Sequence, residues 1–208
     1  MNTSEYSEKA LRTESPTAGA LERLESPELA RLLHSVLGIV SEFSELLDAT
    51  DRTNQIEEVG DLYWFLNLGF DVVGRKTVER PQPSLSTEEP HDPELVNALP
   101  LVGLNVATWL ADIIKARIFY GKETFYAFED VNKTKPQTFH EACEAELVGI
   151  LEVTNTYCVE YLKILPETVM ELNIAKLSTR YPDKYTDTQE LNRDKYAEIT
   201  ALNGNAGH

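Results

Sequence analysis

LHSVLGIVSEFSELLDATDRTNQIEEVGDLYWFLNLGFDVV, residues 33–73, decides the fold. Two apolar segments flank a polar turn at 48–53, and each has the periodicity of a helix. The first carries Glu42-x-x-Glu45 and the second Glu58-x-x-Asp61. Side chains three apart share a helix face, so each segment projects two carboxylates in one direction. If the helices pack antiparallel, the pairs meet.

These acids sit among Leu37, Ile39, Val40, Phe43, Leu46 and Leu47 on one segment and Val59, Leu62, Tyr63, Trp64, Phe65 and Leu66 on the other. Neither helix holds a Lys or Arg between residues 32 and 73, and only Arg52, in the turn, is near. A carboxylate in such company is costly unless positive charge compensates it, and a hard cation with oxygen ligands meets that need. The competing reading is a wet acidic stripe of Glu28, Glu42, Glu45 and Asp48. Asp61 opposes it, because its own run is too apolar for a wet face.

Outward from this pair, Ser26-Pro27-Glu28 reads as a helix start, with Ser26 as cap and Pro27 at the first helical position. The helix runs to about Ala49 with a seam of Leu29, Leu33, Val36, Val40, Phe43 and Leu47. Asn54 with Glu57 resembles the next start, and 56–73 is apolar nearly all round, as a helix central to a bundle would be. Residues 1–25 are polar and read as a mobile arm with at most a short helix. Residues 75–100 contain Pro81, Pro83, Pro90, Pro93 and Pro100 and read as a linker.

A second helical half spans 101–202. Residues 101–120 form a helix ended by Gly121, and Thr138-x-x-Glu141 is a capping box opening a helix through about Lys163. Pro166 restarts a helix that ends near Tyr181-Pro182, and 187–202 forms a last one. The expectation is an all-α helical bundle, one globular domain over 26–202, with the acidic pair at 26–74. The halves share a plan, as a degenerate internal duplication giving a pseudo-dimeric bundle would. At the positions of Glu42 and Glu45 the second half has Ala107 and Leu110, so it holds no second acidic site.

The 208 residues are 42% hydrophobic, enough for a buried core, and carry a net charge of -16. That charge argues against non-specific binding to nucleic acid or an anionic membrane. Cys143 and Cys158 fit neither a zinc motif nor a disulfide framework and read as buried thiols in a reducing compartment. Residues 1–23 lack the apolar core of a signal peptide, and no run looks long and clean enough to span a bilayer. A cytoplasmic protein is expected.

Asn173-x-x-Lys176-x-x-x-Arg180 places three polar groups on one side of a helix, a row suited to phosphate oxygens. Lys115, Arg117, Tyr120 and Lys122 cluster around the helix end at Gly121. Either cluster alone is explained by cations favouring a helix C-terminus. Metal carboxylates with two basic clusters suit a polyphosphate ester. Phe43 and Trp64 are candidates to flank a nucleobase, against the plainer reading of both as core. His34 is better read as packed or capped than as a general base.

These pieces resemble the MazG-like all-α nucleoside triphosphate pyrophosphohydrolases, whose signature is E-x-x-E, a spacer, then E-x-x-D. The spacer here is residues 46–57, and "FYGK" at 119–122 and "NIAKLSTRYPDKYTDTQELNRD" at 173–194 are similar to other recurring pieces of that family. The resemblance implies Mg²⁺-dependent cleavage of a (deoxy)nucleoside triphosphate to the monophosphate and pyrophosphate, with Mn²⁺ able to substitute. It makes Glu42, Glu45, Glu58 and Asp61 metal ligands, with Glu57 an alternative to Glu58. Lys176 and Arg180 become phosphate contacts, and Lys115, Tyr120, Lys122 and Asn173 join the substrate-binding set.

One departure is that simple family members carry the K-x-x-x-FYGK piece between the acidic helices, whereas here it follows the second half's first helix. Fusion of an ancestral homodimer would account for it, one half keeping the acids and the other Lys115, Tyr120 and Lys122 in one composite site. In the implied mechanism Glu45 orients water as base, and Lys and Arg stabilise the leaving pyrophosphate. Pairing of two copies is expected. The alternatives are a dUTPase- or dCTPase-type member of the same superfamily, a non-catalytic nucleotide-binding protein, or a helical interaction module with solvated acids.

Overall fold

The Ser26 hydroxyl accepts from the Leu29 N–H, and Pro27 occupies the first turn, so the first long helix starts where its cap dictates. In the computed structural model, which describes residues 2–75, 94, 97–127, 132–192 and 194–204, this helix is α3 (Pro27–Asp48). Two helices precede it, α1 (Thr3–Leu11) and α2 (Thr17–Leu24). Then come α4 (Arg52–Val72), α5 (Leu99–Tyr120), α6 (Phe139–Thr156), α7 (Pro166–Arg180), α8 (Asp187–Leu191) and α9 (Lys195–Gly204). Among the described residues the chain is all-α, and its one extended pairing is an isolated bridge between Phe125 and Gln137.

α3 and α4 form an antiparallel hairpin. Arg31 pairs with Asp71 at 2.6 Å near one end, and the Ser35 hydroxyl donates to the Phe65 carbonyl at 2.8 Å further along. Gly38 lies under the Phe65 ring, where a Cβ would come within 2.2 Å of ring carbons. The buried seam of α3 is Leu29, Leu32, Val36, Ile39, Phe43 and Leu46, with Ser35 and Gly38 also buried. The sequence offered Leu33, Val40 and Leu47 in that role. The structure shifts the phase by one residue at these positions, leaving Leu33 and Val40 half-buried and Leu47 exposed. Both rows are apolar, and docking of α4 on the Ser35–Gly38 side selects between them.

Asp51, not Asn54, caps α4, accepting from the Asn54 N–H at 3.0 Å. The helix therefore begins at Arg52, a turn earlier than its apolar run suggests. α5 packs antiparallel to α3, because Gly103 lies against the Phe43 ring while Arg23, just before α3, donates to the Ile118 and Phe119 carbonyls near the other end of α5. Gly121 adopts φ 63° there and ends the helix. α6 opens with the capping box of Thr138 and Glu141. It continues as a π-turn, Tyr157–Leu162, and Lys163 closes it at φ 50°.

The hairpins α3–α4 and α5–α6 lie side by side, α3 on α5 and α4 on α6. α7 packs on α4, and α9 packs on α7 and α4. Gly60 permits the α7 contact, since a Cβ there would lie 2.9 Å from Asn173 side-chain atoms. Three expectations change. Residues 1–25 hold two helices, of which α2 docks through buried Ala20 and the Arg23 hydrogen bonds. The last segment is two helices, Asp187–Leu191 and Lys195–Gly204. The helix Leu99–Tyr120 is long and apolar enough to cross a membrane by length and composition, although Gly103, Ala107, Leu110, Ile114 and Ile118 are buried in the bundle. Most of the proline-rich stretch at 75–100 lies outside the described residues, and its end belongs to α5.

Candidate metal centre

Glu42 lies one turn beyond Gly38 on α3, and Asp61 one turn before Phe65 on α4. The close Gly38–Phe65 contact therefore draws the two helices together next to their acids. One carboxylate oxygen each from Glu42, Glu58 and Asp61 lies within 4.8 Å of the others, and all three groups are half-buried. Oxygens that share a Mg²⁺ or Ca²⁺ are separated by up to about 4–5 Å, so both the spacing and the all-oxygen chemistry fit a hard divalent cation.

The electrostatics point the same way. Burial pushes Glu42 up to about 8, and Asp61, a hydrogen bond to Glu58 and the charge of Glu45 add to it. Glu58 rises to about 7, also mainly through burial, while its hydrogen bond with Glu42 pulls it down. Their shared hydrogen bond thus favours a proton held between Glu42 and Glu58, on the Glu42 side. Charging Glu42 and Glu58 together at neutral pH is therefore disfavoured without added positive charge at that point.

Glu45 is exposed and stands outside the three, yet its charge raises both Glu42 and Glu58, which places it at the rim. Glu57 turns the other way, to Lys176 at 3.4 Å. Between the two candidates at this point in the motif, Glu58 is the one brought to the cluster. Asp61 is held from its far side: Lys176 donates to both its oxygens at 2.7 and 2.6 Å, and Asn173 donates to Oδ1 at 2.7 Å. Lys176 is 0% exposed and Asn173 5%. Both therefore orient Asp61 from within the core.

The remaining basic residues are elsewhere. Arg180 makes a bidentate pair with Glu198 at 2.9 and 2.5 Å, and both side chains are nearly buried. Lys115 pairs with Asp112 on an exposed face, Lys122 lies 4.8 Å over the Phe125 ring, and Tyr120 is exposed. Gly103 marks the level of Phe43, beside Glu42, so Lys115 lies about 18 Å further along α5 at 1.5 Å per residue. A composite site of the acids with Lys115, Tyr120 and Lys122 is therefore not assembled within one chain. Its physical reason is the antiparallel course of α5, which carries these residues toward the start of α3.

Phe43 is core, packed on Gly103, whereas Trp64 is 40% exposed against His34 and Phe65. Cys143 and Cys158 are free and buried, their thiols pushed up to about 12 by burial. Sequence reasoning passed over Glu198, and it named Trp64 and His34 singly without the cluster they form with Phe65. Their partners lie 18 to about 30 residues away, beyond any local pattern.

A pH dependence follows. Between the ordinary value of 4.5 and these raised values, the folded chain binds more protons at Glu42 and Glu58 than the unfolded chain does. Metal-free stability therefore falls as pH rises through that window. Both groups are partly open to solvent, which limits the effect to about 1 kcal/mol, or ~3 °C in Tm. Melting in EDTA at pH 5.5 and pH 8 measures it, and Glu42→Gln should flatten the slope. An equal slope in that variant would assign it to other groups.

Comparison of the chain with protein-family models, with curated proteins and with solved structures finds no match.

Proposed function

We propose that this chain is a Mg²⁺-dependent nucleoside triphosphate pyrophosphohydrolase of the MazG-like kind. The observation that carries the reading is the convergence of Glu42, Glu58 and Asp61 from two helices on a common point, with two of them pushed far above the usual carboxylate range. Structural ion-pair networks leave acids charged and paired, as Lys176 pairs Asp61; Glu42 and Glu58 instead face each other and Asp61, with no cation among the groups that set their raised values. Those three residues would hold the ion. When bound, it supplies positive charge to the triphosphate and acidity to water.

The chain's own residues do the rest. Lys176 and Asn173 hold the Asp61 carboxylate in a fixed orientation. Glu45, exposed beside the cluster, is the carboxylate available to take a proton from attacking water. Lys176 acts on Asp61 rather than directly on phosphate, because it is enclosed. A cytoplasmic location, pairing of two copies, acceptance of Mn²⁺ and descent from an internal duplication belong to the same proposal. A dUTPase- or dCTPase-type preference is a narrower form of it.

The experiment is pyrophosphate release over a panel of canonical, deoxy and modified triphosphates with Mg²⁺, Mn²⁺ or EDTA. Metal-dependent release of pyrophosphate and monophosphate is expected, with Glu42→Gln lowering it by about a hundredfold or more. A second reading, Mg²⁺-dependent nucleotide binding without turnover, is favoured by the engagement of Arg180 with Glu198 and the distance of Lys115 from the acids. Nucleotide-induced stabilisation without pyrophosphate release would select it.

A further inference from the structure

We propose that His34, Trp64 and Phe65 form a nucleobase subsite beside the carboxylate cluster. The inference rests on reading that cluster as a triphosphate site, and adds to it the part of the substrate that carries identity.

Three aromatic rings from two helices meet edge to face. The centroid separations are 5.8 Å for His34–Trp64, 5.5 Å for His34–Phe65 and 4.9 Å for Trp64–Phe65. Their position is fixed by the helix repeat. Phe65 follows Asp61 by one turn on α4, and Gly38, on which its ring lies, precedes Glu42 by one turn on α3. Trp64 and Phe65 are thus the next layer along the same α3–α4 seam, about 5–6 Å from Asp61 along the helix axis, and His34, eight residues before Glu42 on α3, lies about 12 Å from it along that axis. A nucleotide sets its base one sugar away from the α-phosphate, a spacing of the same order.

Exposure separates this cluster from the core. Trp64 is 40% exposed, His34 is exposed and Phe65 is half-buried, whereas the neighbouring Leu62, Tyr63 and Leu66 are buried. The cluster thus has an open face. A glycine in the middle of a helix is a destabilising choice, and Gly38 is placed where it admits the Phe65 ring against the α3 backbone. Trp64 offers a π-face on which any base stacks, and the His34 imidazole can donate and accept hydrogen bonds at a base edge. A plain structural seal over the seam would use the same rings without binding anything, so the test must separate ligand contact from packing.

The chain has two tryptophans, and Trp109→Phe leaves Trp64 as the sole emitter. In that background, Mg²⁺ with each of dATP, dCTP, dGTP, dTTP and UTP is titrated, with inorganic tripolyphosphate as the base-free probe. Saturable quenching of Trp64 by one or more nucleotides and none by tripolyphosphate is the expected result. In the chain that keeps Trp109, Trp64→Leu should raise KM for that nucleotide about tenfold, with kcat little changed and tripolyphosphate inhibition unaltered. Turnover accompanied by unchanged Trp64 emission, or an unchanged KM in Trp64→Leu, would overturn the subsite while leaving the hydrolase reading in place. Absence of pyrophosphate release together with absence of Mg²⁺-tripolyphosphate stabilisation would overturn both.

Discussion

Asp61→Asn is expected to reduce Mg²⁺-dependent pyrophosphate release by about a thousandfold and to lower the melting temperature by about 10 °C. The two effects have separate origins. The first is loss of one of three converging carboxylates, a group whose charge a divalent ion needs. The second is the fate of Lys176. Its ammonium is fully enclosed and donates to both Asp61 oxygens, so an amide in their place leaves a buried cation with Glu57 at 3.4 Å. Breaking a buried pair by removing one partner costs about 3–5 kcal/mol. Asp71→Asn is the control on the same helix: its pair with Arg31 is exposed, and its loss should cost no more than about 0.5 kcal/mol. Retained turnover in Asp61→Asn would remove the acidic cluster from the chemistry.

Lys176→Met gives the second large effect. Without Mg²⁺, Glu57 and Asp61 lose their shared cation while Glu42, Glu45 and Glu58 remain nearby. A stability loss of about 3 kcal/mol is expected, close to 9 °C in Tm. Added Mg²⁺ should then raise Tm by more than it does in the wild-type chain, because the ion becomes the main compensating charge. Thermal melts with EDTA and with saturating Mg²⁺ read both quantities. A smaller Mg²⁺ shift in Lys176→Met would mean that Lys176 helps to build the ion site rather than merely balancing its charge.

These expectations depend on features of unequal legibility. Helix starts were readable where the cap is local: Ser26 with Pro27, and Thr138 with Glu141, are read as caps from the sequence and are caps in the fold. The α4 start was misplaced because both Asp51 and Asn54 are good caps, and only one of them accepts the hydrogen bond. The seam of α3 was displaced by one residue at three positions because Leu32 and Leu33, Ile39 and Val40, and Leu46 and Leu47 are adjacent apolar pairs. Periodicity fixes that such a helix has a buried face, but two equally apolar phases leave the choice to its neighbours.

The sequence by itself determined an all-α chain with two carboxylate pairs on consecutive helices, since spacing along a helix is a local property and needs no partner. The tertiary structure decided which acids converge. α4 turns Glu58 toward Glu42, and Gly60 lets α7 approach closely enough for Asn173 and Lys176 to reach Asp61 and Glu57. It also separated Lys115, Tyr120 and Lys122 from the acids, because α5 runs antiparallel to α3, and committed Arg180 to Glu198. The contacts of Asn173 and Lys176 with Asp61 join segments more than a hundred residues apart, and the Glu42–Glu58 and Arg180–Glu198 pairs join different helices, so no periodicity along one helix carries that information.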